Sequence, residues 1–269
     1  MIDQLDLLDT RPRWERLVPI AIARLQHYST LAVANGMGPL IVTYSGGKDS
    51  DACLALVKES GVPYEAVYHW TTIDPPEVVA HIRTHPEVRF ERPKRSFYQL
   101  VRKKGLPSAV RRWCCQALKE RKYPGRIVVT GVRWAESARR STRQAFEASR
   151  GCKTQKFLHA IIEWRLEDVW GYLEDRGVEQ CSLYAEGFER LGCVCCPLGW
   201  KHNEAEARRW PKIVNAIKRN FDLYCAENPG RIDDPEKMWG RYLKGHLGRR
   251  YGKPTSCPLF ADFRDGEEA

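Results

Sequence analysis

Leu40-Ile-Val-Thr-Tyr-Ser-Gly-Gly-Lys-Asp-Ser50 is the stretch on which the fold turns. Its first half, Leu40 to Tyr44, is short, apolar and rich in β-branched residues, as a strand buried on both faces should be. Its second half, Ser45-Gly-Gly-Lys-Asp-Ser50, is glycine-rich and leads into a helical pattern that lasts to about Ser60. Gly61-Val-Pro63 breaks that helix, and Tyr64-Glu-Ala-Val-Tyr-His69 reads as a second strand. Strand, glycine loop, helix and strand form a βαβ unit of a parallel sheet.

A glycine loop between a strand and a helix is an anion cradle, because backbone N–H groups and the helix N-terminus converge there. Gly46 and Gly47 let the backbone approach a phosphate closely. Lys48 brings a positive charge, Ser45 and Ser50 bring hydroxyl donors, and Asp49 offers a carboxylate to Mg²⁺. The Walker A spacing, Gly-x4-Gly-Lys-Ser/Thr, is absent. A plain glycine turn with solvated charges is the competing reading. The complete six-residue string in its strand–loop–helix setting favours a nucleotide phosphate site.

Outward from the loop, residues 14–35 carry Leu17, Ile20, Ala21, Leu25 and Tyr28 at near-helical spacing, and Gly36-Met-Gly-Pro39 ends that helix. Arg126-Ile-Val-Val-Thr130 is a clear later strand, and Ile161-Ile-Glu-Trp164 a weaker one. Glu167 to Leu173 opens a helix. Glu204 to Arg219 is helical and polar, and a Gly/Pro-rich stretch follows. The expectation is an α/β fold: a Rossmann-like parallel sheet flanked by helices, with a helical or irregular C-terminal extension. The divisions fall at 1–38, 39–200 and 201–269. With 269 residues and 43% apolar residues, the chain can bury a core without disulfide staples. No stretch is long and apolar enough for a membrane span, and the N-terminus has no apolar leader region, so the expected location is cytoplasmic.

Net charge is +10, which points to an anionic partner. The excess is local. Between Arg89 and Arg150 there are 18 Lys/Arg against 4 Asp/Glu, and the remainder of the chain is slightly acidic. That segment holds Cys114-Cys115 and Arg133, and it reads as one anion-handling face. Aromatics are interleaved in it at Phe90, Phe97, Tyr98, Trp113, Tyr123 and Trp134. Lys/Arg with aromatics suits single-stranded or looped nucleic acid, with substrate phosphates as the competing explanation.

Ten cysteines in a chain of this length are unlike a short secreted disulfide scaffold, so reduced cysteines and metal ligands are expected. Cys193-x-x-Cys196 can clamp a metal centre. Adjacent Cys114 and Cys115 diverge by about 100° in a helix, which suits two irons of one cluster better than one zinc ion. Zinc and merely buried cysteines remain the alternatives, as does Cys195 in place of Cys196. Cys53, Cys152, Cys181, Cys225 and Cys257 have no partner spacing and read as small buried hydrophobes. His81 and His85 stand four apart on a possible helix, but Pro86 ends it and no third ligand is evident, so they read as a surface pair. Trp210, Trp239 and Tyr242 read as packing residues.

Gly131 follows the later strand, at the sheet edge where α/β ligands bind. Arg133, Ser137 and Arg140 can project donors there onto phosphate or sulfate.

Ser45-Gly-Gly-Lys-Asp-Ser50 resembles the PP-loop of N-type ATP pyrophosphatases, and within them the chain looks most like the phosphoadenosine phosphosulfate (PAPS) reductase family. Three more segments carry the resemblance: Thr130-Gly-Val-Arg-Trp-Ala-Glu-Ser-Ala-Arg-Arg140, Trp164-Arg-Leu-Glu-Asp-Val-Trp170 and Leu191-Gly-Cys-Val-Cys-Cys-Pro197. It implies an adenine nucleotide alpha hydrolase-like fold and ATP with Mg²⁺ as bound groups. It also implies a [4Fe–4S] cluster on Cys114, Cys115, Cys193 and Cys196, with Lys48, Asp49 and Arg133 as catalytic residues. The expected activity is adenylation of an acceptor and sulfur transfer, as in cluster-bearing members such as the ATP pyrophosphatase of DNA phosphorothioation systems. The expected partners are an adenine nucleotide, a DNA or tRNA substrate and a sulfur-donor protein such as a cysteine desulfurase. A sulfonucleotide reductase is the second reading. The family's C-terminal Glu-Cys-Gly-(Leu/Ile)-His is absent, leaving Cys225 and Cys257 as C-terminal thiols. A non-catalytic iron–sulfur nucleic-acid-binding protein is the third.

Overall fold

The run Leu40–Thr43 is a strand at the middle of a six-stranded sheet. Its first three residues are no more than 1% exposed, which is why it carries no polar alternation. The computed structural model describes residues 10–199 and 202–248. In chain order its elements are α1 (Arg13–Ala34), β1 (Leu40–Thr43), α2 (Lys48–Ser60), β2 (Tyr64–His69), α3 (Pro76–Arg83), β3 (Val88–Glu91), α4 (Phe97–Lys104), α5 (Trp113–Leu118), β4 (Ile127–Thr130), β5 (Phe146–Ala148), β6 (Lys156–His159), α6 (Leu166–Asp175), α7 (Asn203–Arg209), α8 (Pro211–Glu227) and α9 (Pro235–Leu243). They fall into two units that interleave in sequence. One takes the chain up to 70, then 76–92 and 121–191; the other takes 71–75, 93–120 and 192 onward.

The first unit is the α/β unit. Its strand order is β3-β2-β1-β4-β6-β5, parallel throughout except for β5 against β6. Ile41 pairs with Glu65 on one side and Val128 on the other. Strand order therefore reverses between β1 and β4. At such a switch point the two following loops diverge and leave a crevice at the carboxyl edge. The loop after β1 is Tyr44–Gly47 and the loop after β4 begins at Gly131. The sheet supports the expected Rossmann-like class.

Helices α1, α2 and α6 pack together. Arg13 binds Asp168 and donates to the Glu163 carbonyl, while Arg24 binds Glu163 and the Ala160 carbonyl, so α1 is tied to the start of α6 by charge as well as by burial. Asp168 also accepts the Arg165 N–H at 2.7 Å and so caps α6.

The second unit is helical. Here α4 packs on α8, and Phe97 stacks on Trp113 at 5.4 Å. Ser96 caps α4, accepting the Gln99 N–H while Gln99 accepts the Ser96 N–H. No helix among the described residues is long and apolar enough to cross a membrane.

Several expectations are corrected. Ile161 and Ile162 are buried but lie in a turn; the strand is β6, just before them. The sequence reading missed β3 and β5 because four- and three-residue strands give too few alternations to register. The helical stretch after 203 is two helices, since Pro211 has no N–H and starts α8 afresh after Trp210.

Gly171 lies where α1 meets α6, and a Cβ there would stand 2.6 Å from the Trp14 ring. Gly171→Ala should cost about 1–3 kcal/mol by overpacking. A urea melt read by circular dichroism should show the lower midpoint. An unchanged midpoint would mean that Trp14 turns aside freely.

Candidate active site and cysteine centre

In the first unit, the phosphate loop is closed by Ser50. Its Oγ accepts the N–H groups of Ser45 and Gly47, both at 3.2 Å, and donates to the Gly47 carbonyl at 2.7 Å. Gly46 has φ +71°, and a Cβ there would stand 2.8 Å from Ile82 of α3. Only glycine satisfies both the backbone conformation and the space. Lys48 is 7% exposed. Its Nζ donates to the Glu189 carbonyl at 3.2 Å, stands 3.8 Å from Asp49 Oδ2, and lies 5.6 Å from the centre of the Tyr184 ring. Its backbone N–H donates to the Tyr184 hydroxyl at 3.0 Å. Nothing in the spacing of the sequence pointed to Tyr184, which is 136 residues away.

Arg133 comes to the same place from the other side of the switch point. It is 5% exposed, and its Nε donates to Asp49 Oδ1 at 2.7 Å. Gly131 makes this approach sterically feasible, since a Cβ there would stand 2.8 Å from the Asp49 carbonyl oxygen. Lys48, Asp49, Gly131 and Arg133 are thus brought together. Ser137 and Arg140 are placed differently: Ser137 is exposed and accepts the Arg140 N–H, and the Arg140 guanidinium pairs with Glu136. Asp49 engages Arg133 with one oxygen and faces Lys48 with the other.

Beside Arg133, the edge carries His159 at the end of β6. Thr130 Oγ1 lies 2.6 Å from His159 Nδ1, and burial, with Arg143 next to it, pushes the imidazole pKa down to about 4. His159 is neutral at physiological pH, and no motif had singled it out.

The second unit gathers Cys114, Cys115, Cys193 and Cys196 around one cavity, with Lys119 and Thr71. Cys114 and Cys115 open α5, where the helical twist splays their side chains. Cys115 is held below the ordinary thiol range by its hydrogen bond with Cys114, aided by Lys119 and Arg112. Cys114 is correspondingly raised, by that bond and by burial. Burial pushes Cys193 up to about 12 against the pull of Lys119. Cys193 also donates to Thr71 Oγ1 at 3.4 Å. Lys119 lines the same cavity, and the Cys193 thiolate beside its ammonium raises its pKa. Cys195 is differently engaged: at φ +54° and fully buried, it donates from Sγ to the Asn203 carbonyl and from N–H to Glu206 Oε2.

Among the other cysteines, Cys53 and Cys181 are buried as expected. Cys152 and Cys225 are only half-buried, which corrects the reading of them as core residues. Cys257 lies outside the described residues. Trp210 and Tyr242 are buried and Trp239 stacks on both Phe221 and Tyr242, so all three pack. His81 and His85 are not a surface pair. His81 is 8% exposed and His85 half-buried, because α3 turns that face onto α2 and the Tyr44 ring.

The basic segment is also divided. Its 93–120 stretch belongs to the second unit and its 121–150 stretch to the first. Phe97 and Trp113 are core residues; of the six interleaved aromatics, Trp134 is the largely exposed one, at 39%.

A largely parallel sheet with a glycine loop and a buried lysine and arginine at its switch point defines an α/β protein with a ligand crevice at the carboxyl edge of its strands. Residues 39–198 match the phosphoadenosine phosphosulfate reductase domain, and the chain belongs to that family. It is 30% identical over 173 residues to the uncharacterized protein MJ0066 of Methanocaldococcus jannaschii, covering 59% of this chain and 36% of that protein. It is 32% identical over 106 residues to the adenosine 5'-phosphosulfate reductase of Neisseria meningitidis serogroup A, 37% of this chain and 43% of the reductase. The chain spans less than half the length of these relatives. Among solved structures, the PAPS reductase of Candida auris aligns with 58% of this chain and 81% of its own, at TM-score 0.46 and 16% identity. Yeast FAD synthetase aligns with 69% and 68%, at 0.47 and 17%.

Burial raises the Glu206 carboxyl to about 6, above its ordinary 4.5. The folded state therefore binds this proton more tightly than the unfolded state. That stabilising contribution is complete below about pH 4.5 and is lost as pH rises through about 6, a change on the order of 1–2 kcal/mol. Glu206→Gln keeps an acceptor for the Cys195 N–H and removes the titration. Its stability, measured by denaturant melts between pH 4 and 7.5, should gain relative to wild type as pH rises across that window. A constant difference would contradict the assignment.

Proposed function

We propose that this protein is an ATP-dependent sulfurtransferase that adenylates a nucleic acid and so activates it for thiolation. The observation that carries this reading is an intact phosphate loop and a four-cysteine centre in one chain. The chemistry divides accordingly. An acceptor oxygen attacks the α-phosphorus of ATP and pyrophosphate leaves, so AMP marks that oxygen; a sulfur nucleophile then displaces AMP. Such catalysis is positioning plus electrostatic stabilisation. Lys48, already desolvated, neutralises charge on the departing pyrophosphate. Arg133, fixed by Asp49, presents its remaining guanidinium N–H groups to the phosphates. Because Asp49 is engaged by Arg133 and faces Lys48, no step is assigned through Mg²⁺, which would arrive with the nucleotide.

The cysteines suit an iron–sulfur cluster. A single tetrahedral zinc needs sulfurs about 3.8 Å apart, given Zn–S of about 2.3 Å. Among the described residues, no three of these sulfurs lie within 4.8 Å of one another. A [4Fe–4S] cluster, with one thiolate on each iron, takes a wider set. When bound it would supply electron transfer or a site for sulfur. Lys119 and Arg112 offset the charge of its thiolates. The sulfur would come from a donor protein such as a cysteine desulfurase, and the acceptor would be DNA or tRNA, as in phosphorothioation-type relatives.

The test is turnover of α-³²P-ATP by anaerobically purified protein with DNA, with tRNA and with no acceptor. AMP and pyrophosphate formation that depends on nucleic acid supports the proposal, and Lys48→Ala should lower it at least 100-fold. Bound but unprocessed ATP would favour a non-catalytic iron–sulfur protein instead. The named adenosine 5'-phosphosulfate reductase relatives favour a second reading, in which a cysteine thiolate attacks the sulfur of adenylyl sulfate and expels AMP, and an external thiol reductant then displaces sulfite from the resulting S-sulfocysteine, leaving a disulfide. Sulfite formation that is lost in Cys257→Ala would establish it. The cluster has its own check: visible sulfur-to-iron absorption and about four irons per chain, both lost in Cys196→Ser.

A further inference from the structure

Beneath the phosphate loop, and separate from the cysteine centre, Asp51, His81 and His85 converge. One donor atom from each lies within 4.8 Å of the other two. Asp51 is on the first turn of α2, three residues after Lys48; His81 is on α3 and His85 just beyond it. Asp51 is 2% exposed and His81 8%, and the four-residue spacing of the histidines puts both on one side of α3.

The surrounding contacts separate the atoms already bonded from those left open. The Tyr44 hydroxyl donates to Asp51 Oδ1 at 2.5 Å. The other oxygen, Oδ2, is buried with no hydrogen-bond partner. His85 Nδ1 faces Glu87 at 3.8 Å, and its Nε2 is likewise buried with no partner. His81 Nε2 stands 3.2 Å from the Tyr44 hydroxyl and 3.4 Å from Asp51 Oδ1. Leaving a buried carboxylate oxygen and a buried ring nitrogen both unbonded costs about 1–3 kcal/mol each, more for the charged group. One cation satisfies both.

We propose that Asp51, His81 and His85 bind a divalent transition metal ion, of which zinc is the best match to two imidazoles and a carboxylate. Tyr44 and Glu87 orient the ligands. The ion joins α3 to the first turn of α2, directly behind Lys48. Gly46 is pressed against Val78 and Ile82 of the same helix, so the ion also fixes the floor of the phosphate loop. The site depends on none of the cysteines, so it stands or falls apart from the proposed sulfur chemistry.

Chelated protein titrated with Co²⁺ tests this, because nitrogen and oxygen ligands give weak visible bands without the near-ultraviolet thiolate charge transfer of cysteine sites. His85→Asn should bind one equivalent fewer than wild type and lose visible bands while the thiolate absorption stays unchanged. Zinc should raise the melting temperature of the wild-type protein further than that of His85→Asn, with the two chelated proteins melting alike. Equal stoichiometry in the two proteins, or loss of an equivalent that carries the thiolate band, would overturn the site. If His85→Asn does not fold, zinc-edge X-ray absorption of the wild-type protein decides. An imidazole-bearing nitrogen and oxygen shell at about 2.0–2.1 Å supports the proposal, and a purely sulfur shell, or no bound zinc, overturns it.

Discussion

Two missing side chains set the geometry of the glycine loop and its surroundings. A Cβ on Gly46 would lie 2.8 Å from Ile82, and a Cβ on Gly131 would lie 2.8 Å from the Asp49 carbonyl oxygen. Helix α3 can therefore press on the loop from one side, and the chain leaving β4 can press on the start of α2 from another. The second contact brings Arg133 within 2.7 Å of Asp49. Close backbone packing thus becomes the placement of a guanidinium, and the buried lysine and the phosphate-loop N–H groups share one sheet edge with it. Since φ at Gly46 is +71°, the loop's shape and its packing make the same demand on that residue.

Charge follows the same economy of position. The basic excess between Arg89 and Arg150 is broken up by local pairing: Arg89 with Glu91, Arg102 with Glu227, Arg126 with Glu65 and Arg143 with Glu147. Exposed pairs of this kind contribute little to stability. The cations that the fold desolvates or aims are Lys48 and Arg133 in the α/β unit and Lys119 in the helical unit. Each has an anionic or thiol neighbour in the structure, so each position is specified rather than merely solvated.

Much of the fold was legible because it rests on local signals. Leu40–Thr43, Tyr64–His69 and Ile127–Thr130 are continuous apolar or β-branched runs, and buried parallel strands need nothing more. The phosphate loop was legible because its chemistry lies in six adjacent residues. The edge elements β3 and β5 were not, since three or four residues carry too little pattern, and Ile161-Ile-Glu-Trp164 misled because burial in a turn and burial in a strand select the same side chains. Ser137 and Arg140 fit a motif by spacing; in the structure Ser137 Oγ accepts the Arg140 backbone N–H and the Arg140 guanidinium pairs with Glu136.

The sequence by itself determined the α/β class, the phosphate loop and the two separate cysteine pairs, Cys114-Cys115 and Cys193-x-x-Cys196, because each is written in neighbouring residues; that the pairs line one cavity is a property of the fold. Only the tertiary structure decided that Tyr184 supports Lys48, that His159 joins the sheet edge, and that His81 and His85 face Asp51 rather than solvent. Those partners are 29 to 136 residues apart in the chain. Periodicity along a sequence says which side of a helix is apolar; it does not say which other segment will cover that side, because that choice is made by the packing of the whole sheet and its helices.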